Sequence, residues 1–255
     1  MNRRRLEAWS PWILLALILV LWEGICRGFE VSDFIFPAPT AIAASLWQYA
    51  GPIAGHALQT FWTTMAGFVL GVVVGVLLGF LVGSSRLMYR ALYPLMVGFN
   101  SIPKAAFVPV LVVWFGIGTI PAILTAFVIC FFPITVNVAT GLATLEPELE
   151  DVLRALGASK LDIMRKVGIP RSLPYFFGSL KVAITLAFVG AVVSETVGAN
   201  KGIGKLMLDA QAAFQVPIVF AGLLVLAVLG IVLYAATALI EARFTGWAFR
   251  GQANR

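Results

Sequence analysis

Six stretches of this chain are long and apolar enough to cross a lipid bilayer, at about 10–27, 57–84, 89–115, 119–143, 172–197 and 216–243. A hydrocarbon layer about 30 Å thick is spanned by about 20 helical residues. Lipid offers no partner to a bare backbone N–H or C=O, so each stretch has to satisfy its own as a helix. Only 12% of the residues are charged, against roughly 25% in a soluble domain. The net charge of +6 therefore carries no suggestion of nucleic acid; in such a chain, basic residues mark the cytoplasmic side of the membrane. The fold class that follows is an all-α membrane protein, with residues 1–255 forming one transmembrane domain.

The basic residues set an orientation. With the N-terminus inside, Arg3, Arg4, Arg5, Arg86, Arg90, Arg154, Lys160, Arg165, Lys166, Arg171, Arg243, Arg250 and Arg255 are cytoplasmic, and only Arg27, Lys201 and Lys205 are clearly outside. This bias places both termini in the cytoplasm. The first apolar stretch lacks a small-x-small cleavage site and ends in Trp22-Glu23-Gly24, so it is expected to be a retained span. Cys26 and Cys130 lie in apolar runs and are expected to be small packing residues.

Local irregularities add detail. Pro103 and Pro109 interrupt the third stretch, and a broken helix is tolerated only where protein or a wet cavity satisfies the freed backbone. The third span is therefore expected inside the bundle. Gly67, Gly71, Gly75, Gly79 and Gly83 recur every fourth residue and form a groove on one face of the second span. Such grooves let helix backbones approach closely. Packing within one subunit is the expectation, with a contact to a second copy as the alternative. Two outer segments exceed simple turns. In 28–56, Thr40 is expected to cap a short helix through Tyr49 that lies flat at the interface. Residues 198–215 are Gly-rich and then helical. Both segments suit an extracytoplasmic partner or a plain lid.

Residues 146–174 form a charged island between the fourth and fifth spans. Glu146, Glu148, Glu150 and Asp151 precede Arg154, Lys160, Arg165, Lys166 and Arg171. Leu149, Val152, Leu153 and Leu156 recur at helical spacing, so 147–156 reads as an amphipathic helix. Its acids lie in the first turns, where the helix dipole favours them. Gly157 suits a left-handed cap at its end. Ser159-Lys160-Leu161-Asp162 reads as a capping box opening a second short helix, and Pro170 prevents that helix from continuing unchanged. The apolar stripe can pack on the chain's own spans or fill a partner's groove.

Asp151-Val152-Leu153, Gly157 and Val167-Gly168-Ile169-Pro170 resemble the signature loop of ABC importer permeases, which runs Glu-Ala-Ala, three residues, Gly, nine residues, Ile-x-Leu-Pro. The glycine and proline match, the acid is conservatively changed, and the two alanines are replaced by larger residues. Asn100-Ser101-Ile102-Pro103-Lys104, Val108-Pro109-Val110-Leu111, Trp114-Phe115-Gly116-Ile117-Gly118, Glu195-Thr196-Val197-Gly198, Gly202-Ile203-Gly204 and Phe36-Pro37-Ala38-Pro39 resemble the nitrate/sulfonate/taurine branch of that family.

The resemblance implies the type I importer fold and a bacterial inner-membrane location. It also implies a second copy of the chain, two cytoplasmic ATPase subunits that hold ATP and Mg, and an extracytoplasmic binding protein that delivers the substrate. On that basis 146–170 holds the coupling helices. Glu150, Asp151, Leu153, Arg154, Ala155, Gly157, Ala158, Ser159, Ile169 and Pro170 are the residues expected to meet the ATPase. A small organic or inorganic anion is the implied substrate, such as a sulfonate, taurine, nitrate or an aromatic carboxylate, although relatives also carry neutral or cationic vitamin precursors.

No chemistry of the chain's own competes with this. The nearest approach to a P-loop, Gly198 to Leu206, has the wrong spacing and lacks the hydroxyl that follows the lysine. ATP hydrolysis is therefore assigned to a partner, and no cofactor or metal to this chain. His56, the one histidine, is expected to be structural. Polar residues inside membrane spans are costly and mark function by default. Asn100, Pro103, Lys104, Asn137, Lys181 and Glu195 are the candidate pathway residues. Lys181 lies about 14 Å along its helix from Ser172, near the bilayer midplane. For the lysines the alternative is a bond to backbone carbonyls or an extended reach to the interface. Glu195 is expected to pair with Lys201 or Lys205, or to hold an outer gate. Two other functions stay open: a secondary transporter acting alone, and a membrane scaffold. A secondary transporter usually shows inverted repeats, and none is apparent.

Overall fold

The computed structural model describes the backbone at 3–143 and 147–245, and the side chains there apart from 3–8, 86, 147–150 and 160. Glu146, Arg250 and Arg255 lie outside the described residues. Every described element is helical. Five helices are long and apolar enough to span a membrane: α1 (Arg3–Gly28), α3 (Ala50–Gly83), α6 (Thr119–Ala143), α9 (Ile169–Gly198) and α11 (Val216–Thr245). α4 (Arg86–Asn100) and α5 (Val108–Phe115), joined through a 3-10 turn at Lys104–Phe107 and bent by 75°, are together apolar enough to count as a sixth if the bent pair is one span. Short helices complete the chain. α2 (Pro39–Gln48) and α10 (Ile203–Ala212) lie at one end of the bundle, and α7 (Pro147–Ala155) and α8 (Lys160–Ile163) at the other.

The glycine groove on α3 is filled by α6. A Cβ at Gly75 would stand 2.9 Å from both Ile134 Cβ and the Phe131 carbonyl, and one at Gly83 2.9 Å from Leu142 Cβ. Gly67, Gly71 and Gly79 face Ala126, Cys130 and Val138 in the same way. Glycines every fourth residue thus meet side chains every fourth residue, and the two helices run parallel. The groove is an intrasubunit packing surface, the first of the two expectations. α9 runs antiparallel to α6 and touches α3 as well, with Gly141 against Ser172 at one end and Gly190 against Ala126 at the other. Ala183, Ala187 and Ala191 are wholly buried along this face. Small side chains let three backbones close on one another, and dispersion contacts then hold them where lipid gives no hydrophobic drive between helices. Both cysteines are free and buried in packing positions.

Two expectations are corrected. The α4 half of the third span is not inside the bundle of a single chain, with Leu87 and Leu95 75% and 70% exposed, whereas Val108 and Leu111 on α5 are buried. Its break is satisfied locally instead. Lys104 Nζ donates to the Asn100 carbonyl at 3.2 Å and to Asn100 Oδ1 at 2.5 Å, and Ser101 Oγ donates to the Val97 carbonyl. Thr40 does not cap α2. Pro39 takes the first helical position, so the cap is Ala38, which has no side-chain acceptor. The free N–H of Thr40 donates to Glu23 on α1 at 3.1 Å, and its hydroxyl to the same carboxylate at 2.8 Å. α1 is thereby fastened to α2 by a carboxylate at a helix N-terminus, while most of its length stays exposed.

Candidate functional site

The 147–170 segment folds as a helix, a glycine turn and a second helix. The turn is built on Gly157, whose φ is +84°. Gly157 N–H donates to the Arg154 carbonyl at 2.9 Å and Ala158 N–H to the Leu153 carbonyl at 3.0 Å, the paired bonds of a Schellman cap. Ser159 then opens α8: its hydroxyl accepts from Asp162 N–H at 3.2 Å and donates to the Asp162 carboxylate at 2.5 Å. Proline at 170 cannot donate to the helix ladder. The chain stays helical all the same, because Met164–Gly168 widens into a π turn in which Ile169 N–H reaches the Met164 carbonyl. α8 is thus joined to α9 with no loop between them.

This unit divides its apolar residues between two directions. Ile163 is buried and anchors the segment, whereas Val152, Leu156 and Leu161 are 57%, 79% and 71% exposed. Asp151, Arg154, Ala155 and Ser159 are also exposed, and Leu153, Ala158, Ile169 and Pro170 are half-buried. The side chain of Glu150 lies outside the described residues. Among the described residues, nothing covers the apolar side chains of Val152, Leu156 and Leu161, which are rimmed by charge.

The candidate pathway residues do not form one cluster. Asn100, Pro103 and Lys104 sit together at the exposed break before α5, with the Lys104 ammonium 5.7 Å from the Phe132 ring centre. Phe99, next to Asn100 in the chain, meets Phe131 of α6 at 6.2 Å, and Phe127 stacks on Phe131 at 5.5 Å. Asn137 is turned onto its own helix, its amide donating to the Pro133 carbonyl at 2.8 Å. Lys181 is paired with Glu241 of α11 at 2.6 Å. Glu241 lies in the last turns of α11, so the pair sits toward the α7–α8 end rather than at mid-span. That pairing neutralises the cation that sequence alone placed in the pathway.

Glu195 corrects its expectation most clearly. It is 1% exposed and bonds neither Lys201 nor Lys205; Lys205 pairs with Asp209 at 2.6 Å. Its carboxylate accepts from Thr60 Oγ1 at 2.8 Å, Thr63 Oγ1 at 3.2 Å and Gly204 N–H at 3.1 Å. Thr60 Oγ1 in turn accepts from Ile203 N–H at 2.9 Å. His56 Nδ1 lies 2.8 Å from the Gly202 carbonyl and 3.1 Å from Gly202 N, a structural role for the single histidine. Sequence reasoning missed Glu241, Thr60 and Thr63. The threonines had a visible signal, since Thr60, Thr63 and Thr64 put three hydroxyls within two turns of an apolar span.

Residues 71–246 match the family model described as binding-protein-dependent transport system inner membrane component. The chain is 35% identical to the riboflavin transport system permease protein RibX of Chloroflexus aurantiacus, over 92% of this chain and 88% of the relative. It is 32% identical to a probable ABC transporter permease of Haemophilus influenzae, over 88% and 92%. It is 31% identical to the formylaminopyrimidine transport permease protein ThiX of Halalkalibacterium halodurans, over 96% and 98%. Other relatives are named for aliphatic sulfonates, taurine and nitrate. Among solved structures, the inward-facing MetNI methionine ABC transporter superposes with a TM-score of 0.60 at 25% identity, covering 78% of this chain and 97% of that one. By fold, motif and family model, the chain belongs to the binding-protein-dependent transport system inner membrane components, the permease subunits of ABC importers.

Proposed function

We propose that two copies of this chain form an alternating-access path for a small solute. The observation that carries the coupling role is the set of apolar side chains Val152, Leu156 and Leu161, exposed among the described residues, on a segment whose α8 is continuous with α9 through the π turn. An amphipathic helix of this kind fills a groove on a partner, and the partner is an ATPase subunit that holds ATP and Mg. The permease binds neither, and performs no covalent chemistry. Its termini and coupling segment lie in the cytoplasm, and α2 and α10 face the binding protein outside.

The second copy is supported by the break at Asn100–Lys104. Its carbonyls are bonded locally, but in the single chain the polar groups themselves stay largely exposed, and polar and ionisable groups facing lipid are costly. A second copy across this face encloses it in a wet path between protomers, where Lys104 and the rings of Phe99 and Phe132 meet the solute. Lys104 favours an anion such as a sulfonate, taurine, nitrate or an aromatic carboxylate. A second reading is a flat heteroaromatic solute stacking on those rings. It is favoured by the neutralised Lys181, by the aromatic cluster itself, and by relatives named for riboflavin and formylaminopyrimidine.

Uptake by whole cells expressing the complete system separates the two. The panel is taurine, an alkyl sulfonate, nitrate, an aromatic carboxylate, riboflavin and an aminopyrimidine. For an anion, Lys104→Gln lowers uptake by about tenfold, the equivalent of one lost charge-assisted contact, and Phe99→Leu has little effect. For a heteroaromatic solute the two variants exchange effects. Uptake unaffected by both removes this region from the path.

A further inference from the structure

The environment of Glu195 has features that a solute path does not need. Carboxylates inside a membrane span are costly, and among the described residues no cation is bonded to this one. The outer turn is nonetheless shaped around it. A Cβ at Gly202, where φ is +139°, would collide with the Glu195 carboxyl group, and one at Gly204 would stand 2.9 Å from Glu195 Cβ and 2.6 Å from the Val192 carbonyl. Gly202, Ile203 and Gly204 are each bonded to a side chain on α3 or α9, namely His56, Thr60 and Glu195. Ile203 is wholly buried against this junction, and the neighbouring Ala199 is 6% exposed. Beyond the turn, α10 packs its Met207 into Gly222 of α11.

We infer that Glu195 is a positioning residue that latches the outer cap, residues 199–212, to the outer ends of α3 and α9. The consequence follows from α9 itself. It runs as one helix from Ile169 to Gly198 and is continuous through the π turn with α8. A displacement of the latched cap is therefore delivered along a single rod to α8, which carries Leu161, and across the Gly157 turn to α7, which carries Val152 and Leu156. A binding protein that docks on the cap moves the coupling segment through Glu195, and without the latch the cap moves alone. This consequence rests on the importer function proposed above; the latch itself does not.

The test uses the full chain with Cys26 and Cys130 replaced by alanine and Ala199→Cys as a reporter, labelled by a membrane-impermeant maleimide. With Glu195 present, labelling is slow. Glu195→Ala raises the rate by about tenfold or more, since the hydrogen bonds from Thr60, Thr63 and Gly204 are lost and local opening becomes easier. Glu195→Gln stays near the parent, because its carbonyl still accepts from Thr60 and Gly204 while Thr63 can donate to the Gln59 carbonyl, 3.1 Å away. The complex gives a second readout. Glu195→Ala still purifies with its ATPase but loses stimulation of ATP hydrolysis by loaded binding protein, and Glu195→Gln retains it. Equal labelling with and without the carboxylate overturns the latch. Faster labelling with undiminished stimulation overturns its role in transmission. If Glu195→Ala fails to accumulate, Thr60→Val is expected to raise labelling in the same way, and a rate at the parental level overturns the latch. Labelling needs no ATPase, so a chain that purifies without one defeats the importer function and leaves the latch to be judged by labelling.

Discussion

Replacing Gly157 with proline abolishes solute uptake while leaving the chain inserted in the membrane at its normal level. The turn between α7 and α8 requires φ near +84° at this position, and proline is locked near −65°. The variant also loses the N–H that bonds the Arg154 carbonyl, and the preceding Leu156 is pushed out of helical geometry. The Schellman cap is lost, so α7 leaves α8 at a different angle and carries Val152 and Leu156 away from their partner. None of these residues lies in a membrane span, so insertion is unaffected. Alanine at the same site gives an intermediate result, because a left-handed residue other than glycine costs about 1–2 kcal/mol but keeps the N–H. Asp151→Arg reverses a charge beside the exposed stripe and lowers uptake without touching the turn. Radiolabelled uptake normalised to membrane content checks all three. Normal uptake by Gly157→Pro would refute the coupling role of this segment.

The second large effect is on folding. Gly75→Leu is expected to destabilise the chain by about 3 kcal/mol or more, since even an added methylene in a packed core costs about 1–3 kcal/mol and this one meets backbone. The Phe131 carbonyl and Ile134 Cβ, both 2.9 Å from the position of the new Cβ, cannot give way without separating α3 from α6. Separation in turn opens the contact of α6 with α9, so the loss spreads through the three-helix centre. Gly98→Ala is the control: nothing lies within 4 Å of a Cβ there, and alanine in a helix interior is neutral or favourable by up to about 1 kcal/mol. Fluorescence-monitored size exclusion after heating in detergent reads both. A Gly75→Leu chain as heat-resistant as the parent would show that the α3–α6 contact is looser than the geometry requires.

What the sequence carried was local. The spans were legible because lipid leaves a helix of about 20 apolar residues as the only single-segment solution. The turn at Gly157 and the Ser159–Asp162 cap were legible because both are closed within a few residues. The glycine repeat declared a groove, though not that α6 would fill it. Pairs that close across the fold were hidden. Lys181 read as a pathway cation because Glu241, which neutralises it, lies on another helix. Glu195 drew attention to Lys201 and Lys205 by proximity in the chain, while its two side-chain donors, Thr60 and Thr63, are 135 and 132 residues away. The break at Pro103 pointed to an interior position for the third span by a sound rule about lipid. The single chain leaves that face open because the protein that covers it is, in this account, a second copy.

The central claim is that this permease works as a pair, driven from outside its own sequence by an ATPase seated on 147–170. Purification of the tagged chain in mild detergent from its native membrane, followed by mass measurement of the intact assembly, tests it most directly. The expected mass is two copies of this chain with two ATPase subunits. A chain that emerges alone, or as a pair with no ATPase, would contradict the account.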